Sequence, residues 1–333
     1  MSAAQVNASQ FERTIPFPSE LKERLDGFVY GNEQTKEYLS SVVFKHLHMT
    51  KTQTDLGSRS HTLVMGSTGS GKSHLVSGLQ RVLDVPVVSI DATTLTEAGY
   101  QGRDVDSIFE DLLQISNYDR MRAESGIVFV DEFDKLEASG GGDRDIRGRG
   151  VQNSLLRMLD GDVRQIKTTR TSRFHTGEAG ETVLFDTRRL LFIFAGAFSG
   201  HPELTNGDSV SPEQIANAGF IPELVSRIPN VLVLRELQST EIADVLSKES
   251  SEIFKEYKSL FQALGCDLKI SDRGAEQVAR SSVRMRLGFR GVRTVLDRAL
   301  LPMLAEFESE NQQRLSVILD CQNGKDLCLR VDE

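Results

Sequence analysis

Leu21, Leu25, Phe28 and Val29 recur at helical spacing from about Ser19, after a polar tail holding Pro16 and Pro18, and Gly31 interrupts them. A second helix is predicted over 33–49. From His61 the pattern alternates. An apolar run at 62–65 reads as a strand, 72–83 as a helix and 85–90 as a strand, with further apolar runs at 127–130 and 190–194. Apolar strands separated by helices predict a parallel sheet covered on both faces. The character changes after Arg235. Residues 239–264 are strongly helical in pattern, 268–270 form a short strand, and another helix opens at Asp272. Over 291–307, Val292, Val295, Leu296, Ala299, Leu300, Met303, Leu304 and Phe307 make one continuous helical stripe. Strands at 315–319 and 327–331 close the chain. The expected organisation is a disordered tail (1–18), a large α/β domain (19–235) and a smaller helix-rich α+β domain (236–333). Stretches 138–150 and 167–182 read as exposed loops, and no internal repeat is found.

Composition narrows the function. At 333 residues, 39% apolar and 26% charged, the chain can bury a sizeable core. Its net charge of −9 opposes coating of nucleic acid by bulk charge. Cys266, Cys321 and Cys328 include no Cys-x-x-Cys pair, which excludes a disulfide framework and a zinc module and fits a reducing cytoplasm. Residues 1–14 hold no apolar core for a signal peptide. The longest apolar stretch, 190–198, reaches about half of the roughly 20 residues a membrane helix needs. No membrane partner is expected.

The strongest chemical signal is Gly66-Ser67-Thr68-Gly69-Ser70-Gly71-Lys72-Ser73, preceded by an apolar strand and followed by a helix. Glycines let successive backbone N–H groups turn inward onto phosphate oxygens, and the helix N-terminus reinforces them. Lys72 would reach the β and γ phosphates, and Ser73 would take a place on Mg²⁺. The second signal lies 59 positions beyond Lys72, where the run Ile127-Val-Phe-Val ends in Asp131-Glu132. Both acids are expected at the carboxyl edge of the sheet. Asp131 would hold Mg²⁺ through water, and Glu132 would orient and polarise the attacking water. Together they specify nucleotide hydrolysis but not its purpose. Between them, Gly99-Tyr100-Gln101-Gly102 presents one aromatic ring on a flexible loop. Such a ring can grip an extended chain without reading its sequence, and the pattern alone fits a plain surface turn equally well.

From about Glu20 onward the sequence resembles the ClpX family of AAA+ protein unfoldases. The resemblance rests on 28–34, the phosphate loop, 91–104, 126–135, Gly150-Val-Gln-Asn-Ser-Leu-Leu156, 191–198, Gly219-Phe-Ile-Pro-Glu-Leu-Val-Ser-Arg227-Ile-Pro229 and Gly288-Phe-Arg290-Gly-Val-Arg293. It implies an AAA+ P-loop NTPase fold and a homo-hexameric ring with ATP and Mg²⁺ between neighbouring subunits. Val29 and Tyr30 would flank the adenine, and the loop through His74 the phosphates. Tyr100, Gln101 and Arg103 would belong to the first pore loop, and Arg144 and Arg147 to the second. Residues 172–175 fall at a basic loop that surrounds the ring's mouth in the family; their charges fit plain solvation as well. Arg227, by pattern alone only a helix-terminal arginine, matches the arginine finger that reaches a neighbour's ATP. Such fingers are worth about 10³ to 10⁵ in rate elsewhere. Arg290 matches the sensor-2 arginine, which meets the nucleotide in cis, whereas Arg293 is expected to pair locally. Ala195-Gly196-Ala197 offers no polar side chain for a sensor-1 role.

Three departures qualify the match. No cysteine-rich zinc segment precedes residue 20, so adaptor choice by that route is expected to be missing. Residues 199–211 lack the Ile-Gly-Phe type of tripeptide with which ClpX proteins dock on the ClpP peptidase, so ClpP binding is not expected. Arg103 is basic where the family has an acid, and with Arg147 and Arg149 it would make the channel more positive. The expected activity is ATP-driven unfolding or remodelling of protein clients or adaptors. Coupling to a peptidase by another surface and a nucleic-acid motor are the rivals.

Overall fold

The computed structural model describes residues 15–52, 59–96, 103–138, 143–168, 182–205, 210–248, 252–285, 287, 289–307, 315–322 and 326–331. Two compact units divide them. The first takes its residues from 15–26, 33–65 and 76–233, the second from 27–32, 66–75 and the chain from Leu234 onward.

The first unit is organised by five parallel strands: β1 (Thr62–Met65), β2 (Val87–Asp91), β3 (Ile127–Asp131), β4 (Leu191–Gly196) and β5 (Asn230–Val233). Their order is β2-β3-β4-β1-β5. β4 is buried throughout, and β3 is buried until Asp131. That is the continuous apolar signature of a sheet covered on both faces, and it confirms the expected α/β class. Register fixes which residues share the carboxyl edge. Val130 pairs with Phe194, and Phe194 with Leu63, so Asp131 stands level with Val64 across β4. Beneath that edge Phe133 packs 4.7 Å, centroid to centroid, from both Phe194 and Phe220.

The second unit has its own core, built on Phe254, Phe261, Leu268, Val278, Leu296 and Leu319. Its strands are β6 (Cys266–Ile270), β7 (Leu315–Gln322) and β8 (Asp326–Val331), parallel then antiparallel. Helix Asp272–Arg284 is capped by the Ser271 hydroxyl, which accepts from Gly274 N at 3.0 Å. The striped helix runs over Phe289–Phe307.

The structure departs from the sequence pattern in several places, among them the unpredicted helix Ser107–Ile115 and the strand pair Val163–Lys167 with Thr182–Asp186. Residues 143–150 are not loop but the start of a helix, Asp143–Asp160. Its Gly148 is there for close packing, since a Cβ would stand 2.7 Å from the Leu136 carbonyl. The pattern over 239–264 divides into Ser239–Ser247 and Glu252–Ala263. β5, the short apolar run Val231-Leu232-Val233, is not among the predicted strands; its residues are half-buried at the sheet edge. The tail over 1–14 lies outside the described residues.

Candidate functional site

The phosphate-loop candidate belongs to the second unit. Gly66, Gly69 and Gly71 adopt φ of 157°, 88° and 102°, the last two squarely left-handed, so the backbone curls before the helix Lys72–Val82 begins. A Cβ on Gly66 would stand 2.6 Å from the Leu234 carbonyl oxygen and 2.7 Å from Ser70 Oγ. Lys72 Nζ donates across the loop to the carbonyls of Gly66 (2.5 Å) and Ser67 (3.0 Å). Thr68, Ser73 and His74 are exposed. Ser70 Oγ is buried without a hydrogen-bond partner among the described residues, which fits a hydroxyl kept for a ligand oxygen. No cluster of three or more His, Cys, Asp or Glu ligands occurs among the described residues. Of the two residues expected to flank the adenine, Val29 is buried and Tyr30 half-buried.

Asp131 and Glu132 end β3 in the first unit. Asp131 Oδ1 accepts from Glu132 N at 2.9 Å, which turns the chain at once out of the strand. Glu132 itself sits in the left-handed region (φ 54°, ψ 33°), which is uncommon and costly for a non-glycine residue and clusters at functional sites. Its carboxylate is exposed. Behind it, buried Asp134 accepts from Ala197 N through Oδ1 (3.0 Å) and from Lys135 Nζ through Oδ2 (2.8 Å). The segment after β3 is thereby tied to the end of β4.

The chain matches the family model for an AAA domain (Cdc48 subfamily) over residues 58–231. It is 32% identical to the ATP-dependent Clp protease ATP-binding subunit ClpX of Bacteroides thetaiotaomicron, over 92% of this chain and 81% of that protein. Identity is 35% to ClpX 2 of Wolinella succinogenes, over 90% of this chain and 79% of that one. It is 33% to ClpX 3 of Methylococcus capsulatus, over 95% and 82%. The chain belongs to the ClpX family of AAA+ ATPases.

In this ClpX-family ATPase, Arg227 caps the short helix Pro222–Ser226, is exposed, and donates through Nε to Asp160, the last residue of helix Asp143–Asp160. Arg290 is exposed on the first turn of Phe289–Phe307, and Arg293 pairs with Glu256 at 2.6 Å, as expected. Tyr100 and Gln101 lie outside the described residues. So do residues 172–175 and the side chain of Arg144, while Arg147 is exposed. The segments on either side of 97–102 are drawn together by a short ladder of Leu95–Thr96 with Arg103–Asp104. Arg103 pairs with Asp111 and donates to Ser107 Oγ at 2.8 Å, so its own chain offsets the extra positive charge. Within 199–211, the helix Pro202–Thr205 and the Ser211 capping box are described, and 206–209 are not.

Sequence reasoning missed four residues that organise these parts. Asp134 is one. Gln152, fully buried on Asp143–Asp160, donates to Leu136 O (2.7 Å) and Gly219 O (3.3 Å) and accepts from Ile221 N (2.8 Å). It fastens the segment after Glu132 to the segment leading to Arg227. In the second unit, Asn32 donates to Arg235 O (3.2 Å) and accepts from Arg235 N (3.0 Å), and Glu236 accepts from Ser67 Oγ at 2.6 Å. Only Asn32, beside Gly31, carried a local signal, that of a turn.

Proposed function

We propose that this ATPase unfolds or remodels protein clients as a homo-hexameric ring in the cytoplasm, drawing a gripped chain through its centre. ATP lies against Val29, Tyr30 and the loop from Gly66 to His74, with Mg²⁺ on Ser73 and, through water, on Asp131. Glu132 polarises the attacking water. Arg227 leaves Asp160 to meet a neighbour's γ-phosphate, Arg290 meets the nucleotide in cis, and Tyr100 grips the client beside Gln101, Arg103, Arg144 and Arg147. Among these parts the sheet's carboxyl edge supports the hydrolytic role most. There Asp131 ends level with Val64, one residue short of the end of the strand that leads into the phosphate loop, and Glu132 is held in a left-handed turn. Glu132→Gln is expected to bind ATP, scarcely hydrolyse it, and hold clients in assembled rings. Wild-type turnover in that variant would remove Glu132 from its role. Tyr100→Ala is expected to keep ATPase activity and lose unfolding.

In our reading the ring acts without ClpP, since 199–211 hold no docking tripeptide, and without nucleic acid, given the net charge of −9. The relatives' own names favour a second reading, because each is called the ATP-binding subunit of a protease. Co-purification of the Glu132→Gln ring with a peptidase ring would decide for it. No helix among the described residues is long and apolar enough to cross a membrane.

A further inference from the structure

Four consecutive residues, Leu234 to Leu237, engage the phosphate loop and the adenine-side turn alternately, all within the second unit. Leu234 lies so close to Gly66 that a Cβ there would stand 2.6 Å from its carbonyl oxygen. Arg235 is held through its backbone N and O by the Asn32 side chain. Glu236 accepts from Ser67 Oγ at 2.6 Å. Leu237 lies against Gly31, where a Cβ would meet its Cδ2 at 2.3 Å. Even positions meet the loop and odd positions the turn. Asn32 is nine-tenths buried and itself left-handed at φ 51°, so the strap is fastened at a strained, desolvated point on one side and by an exposed carboxylate on the other.

The exposed carboxylate has a consequence for ligand binding. Ser67 is held twice, its carbonyl by Lys72 Nζ and its hydroxyl by Glu236. A polyphosphate entering this loop attracts the Lys72 ammonium and repels the Glu236 carboxylate, and both effects loosen Ser67 in the same direction. We propose that Glu236 acts through Ser67 as a positioning residue that weakens nucleotide binding, and that binding releases it from Ser67. The proposal rests on reading residues 66–73 as the phosphate loop.

The test is equilibrium binding of methylanthraniloyl-ADP and of ATPγS to the full chain, over ionic strengths from low to about 0.5 M. Glu236→Gln is expected to tighten both about three- to tenfold at low salt, with the gain shrinking as salt rises. Ser67→Ala, which cuts the tether but leaves the charge, is expected to tighten binding less. The double variant should match Glu236→Gln alone, since a tether without its charge has nothing to oppose. A merely structural contact would loosen the loop and weaken binding, so unchanged or weaker binding in Glu236→Gln overturns the proposal, as do additive effects. Lys72→Ala separates the two levels. Undiminished nucleotide binding in that variant removes the phosphate-loop reading itself. Lost binding there, with no gain in Glu236→Gln, overturns the strap alone.

Discussion

Replacing Gln152 by Leu removes an amide while nearly keeping the side chain's volume, so cavity effects stay small. Gln152 is wholly buried, and its three hydrogen bonds reach Leu136 O, Gly219 O and Ile221 N. Gly219 O keeps a second donor, Ala138 N at 3.2 Å. Leu136 O and Ile221 N lose the partner that Gln152 gave them. An unsatisfied buried polar group costs about 1–3 kcal/mol, so two cost about 2–6, and the added apolar surface returns about 1. The expected loss is about 1–5 kcal/mol, against the 5–15 that typically separates folded from unfolded protein. With a slope of about 2 kcal/mol per molar urea, the unfolding midpoint falls by about 0.5–2.5 M. ATP turnover, measured below that midpoint, is expected to fall as well. The same amide joins the segment after Glu132 to the one that leads to Arg227. A midpoint within about 0.25 M of wild type, with unchanged turnover, would refute the reasoning.

Three further outcomes follow from particular contacts. Burial holds His46 down at about 4 and His61 at about 3, with His61 further lowered by His46 and Arg59, against an ordinary 6.5. The unfolded chain therefore takes up protons first. Stability present above pH 6.5 is lost as pH falls toward 4 for His46 and toward 3 for His61, by about 2 kcal/mol per histidine at pH 5. Urea midpoints between pH 7 and 5 check this, and His61→Asn should flatten the slope by about half. Gly66→Ala places a Cβ 2.6 Å from Leu234 O and is expected to weaken binding of methylanthraniloyl-ADP at least tenfold; wild-type affinity would contradict that geometry. Asp134→Ala leaves Ala197 N without its 3.0 Å acceptor and frees the segment after Glu132 from β4. It should lower kcat by about tenfold with KM little changed, and an unaltered kcat would leave Asp134 with a purely structural role.

Much of the machinery was legible in the sequence because its signals are local. An apolar run that ends in two acids names a buried strand reaching solvent, and β3 does end at Asp131. A glycine-rich turn between strand and helix names itself in the same way. Helix 143–150 was hidden because glycine is read as a breaker, whereas Gly148 is there to let the helix approach Leu136. β5 was overlooked although Val231-Leu232-Val233 is apolar, because so short a run does not by itself separate a strand from the end of a helix.

The sequence by itself determined the fold class, the carboxylate pair and the phosphate loop, since each depends on residue types within a few positions of one another. Only the tertiary structure decided which distant polar partners hold each part in place. Asn32 finds Arg235 across 203 positions, Ser67 finds Glu236 across 169, and Gln152 spans 16 to 69. No sequence period marks such pairs, because a buried or bridging polar side chain is chosen by the partner that satisfies it, and that partner is set by how the chain folds back on itself.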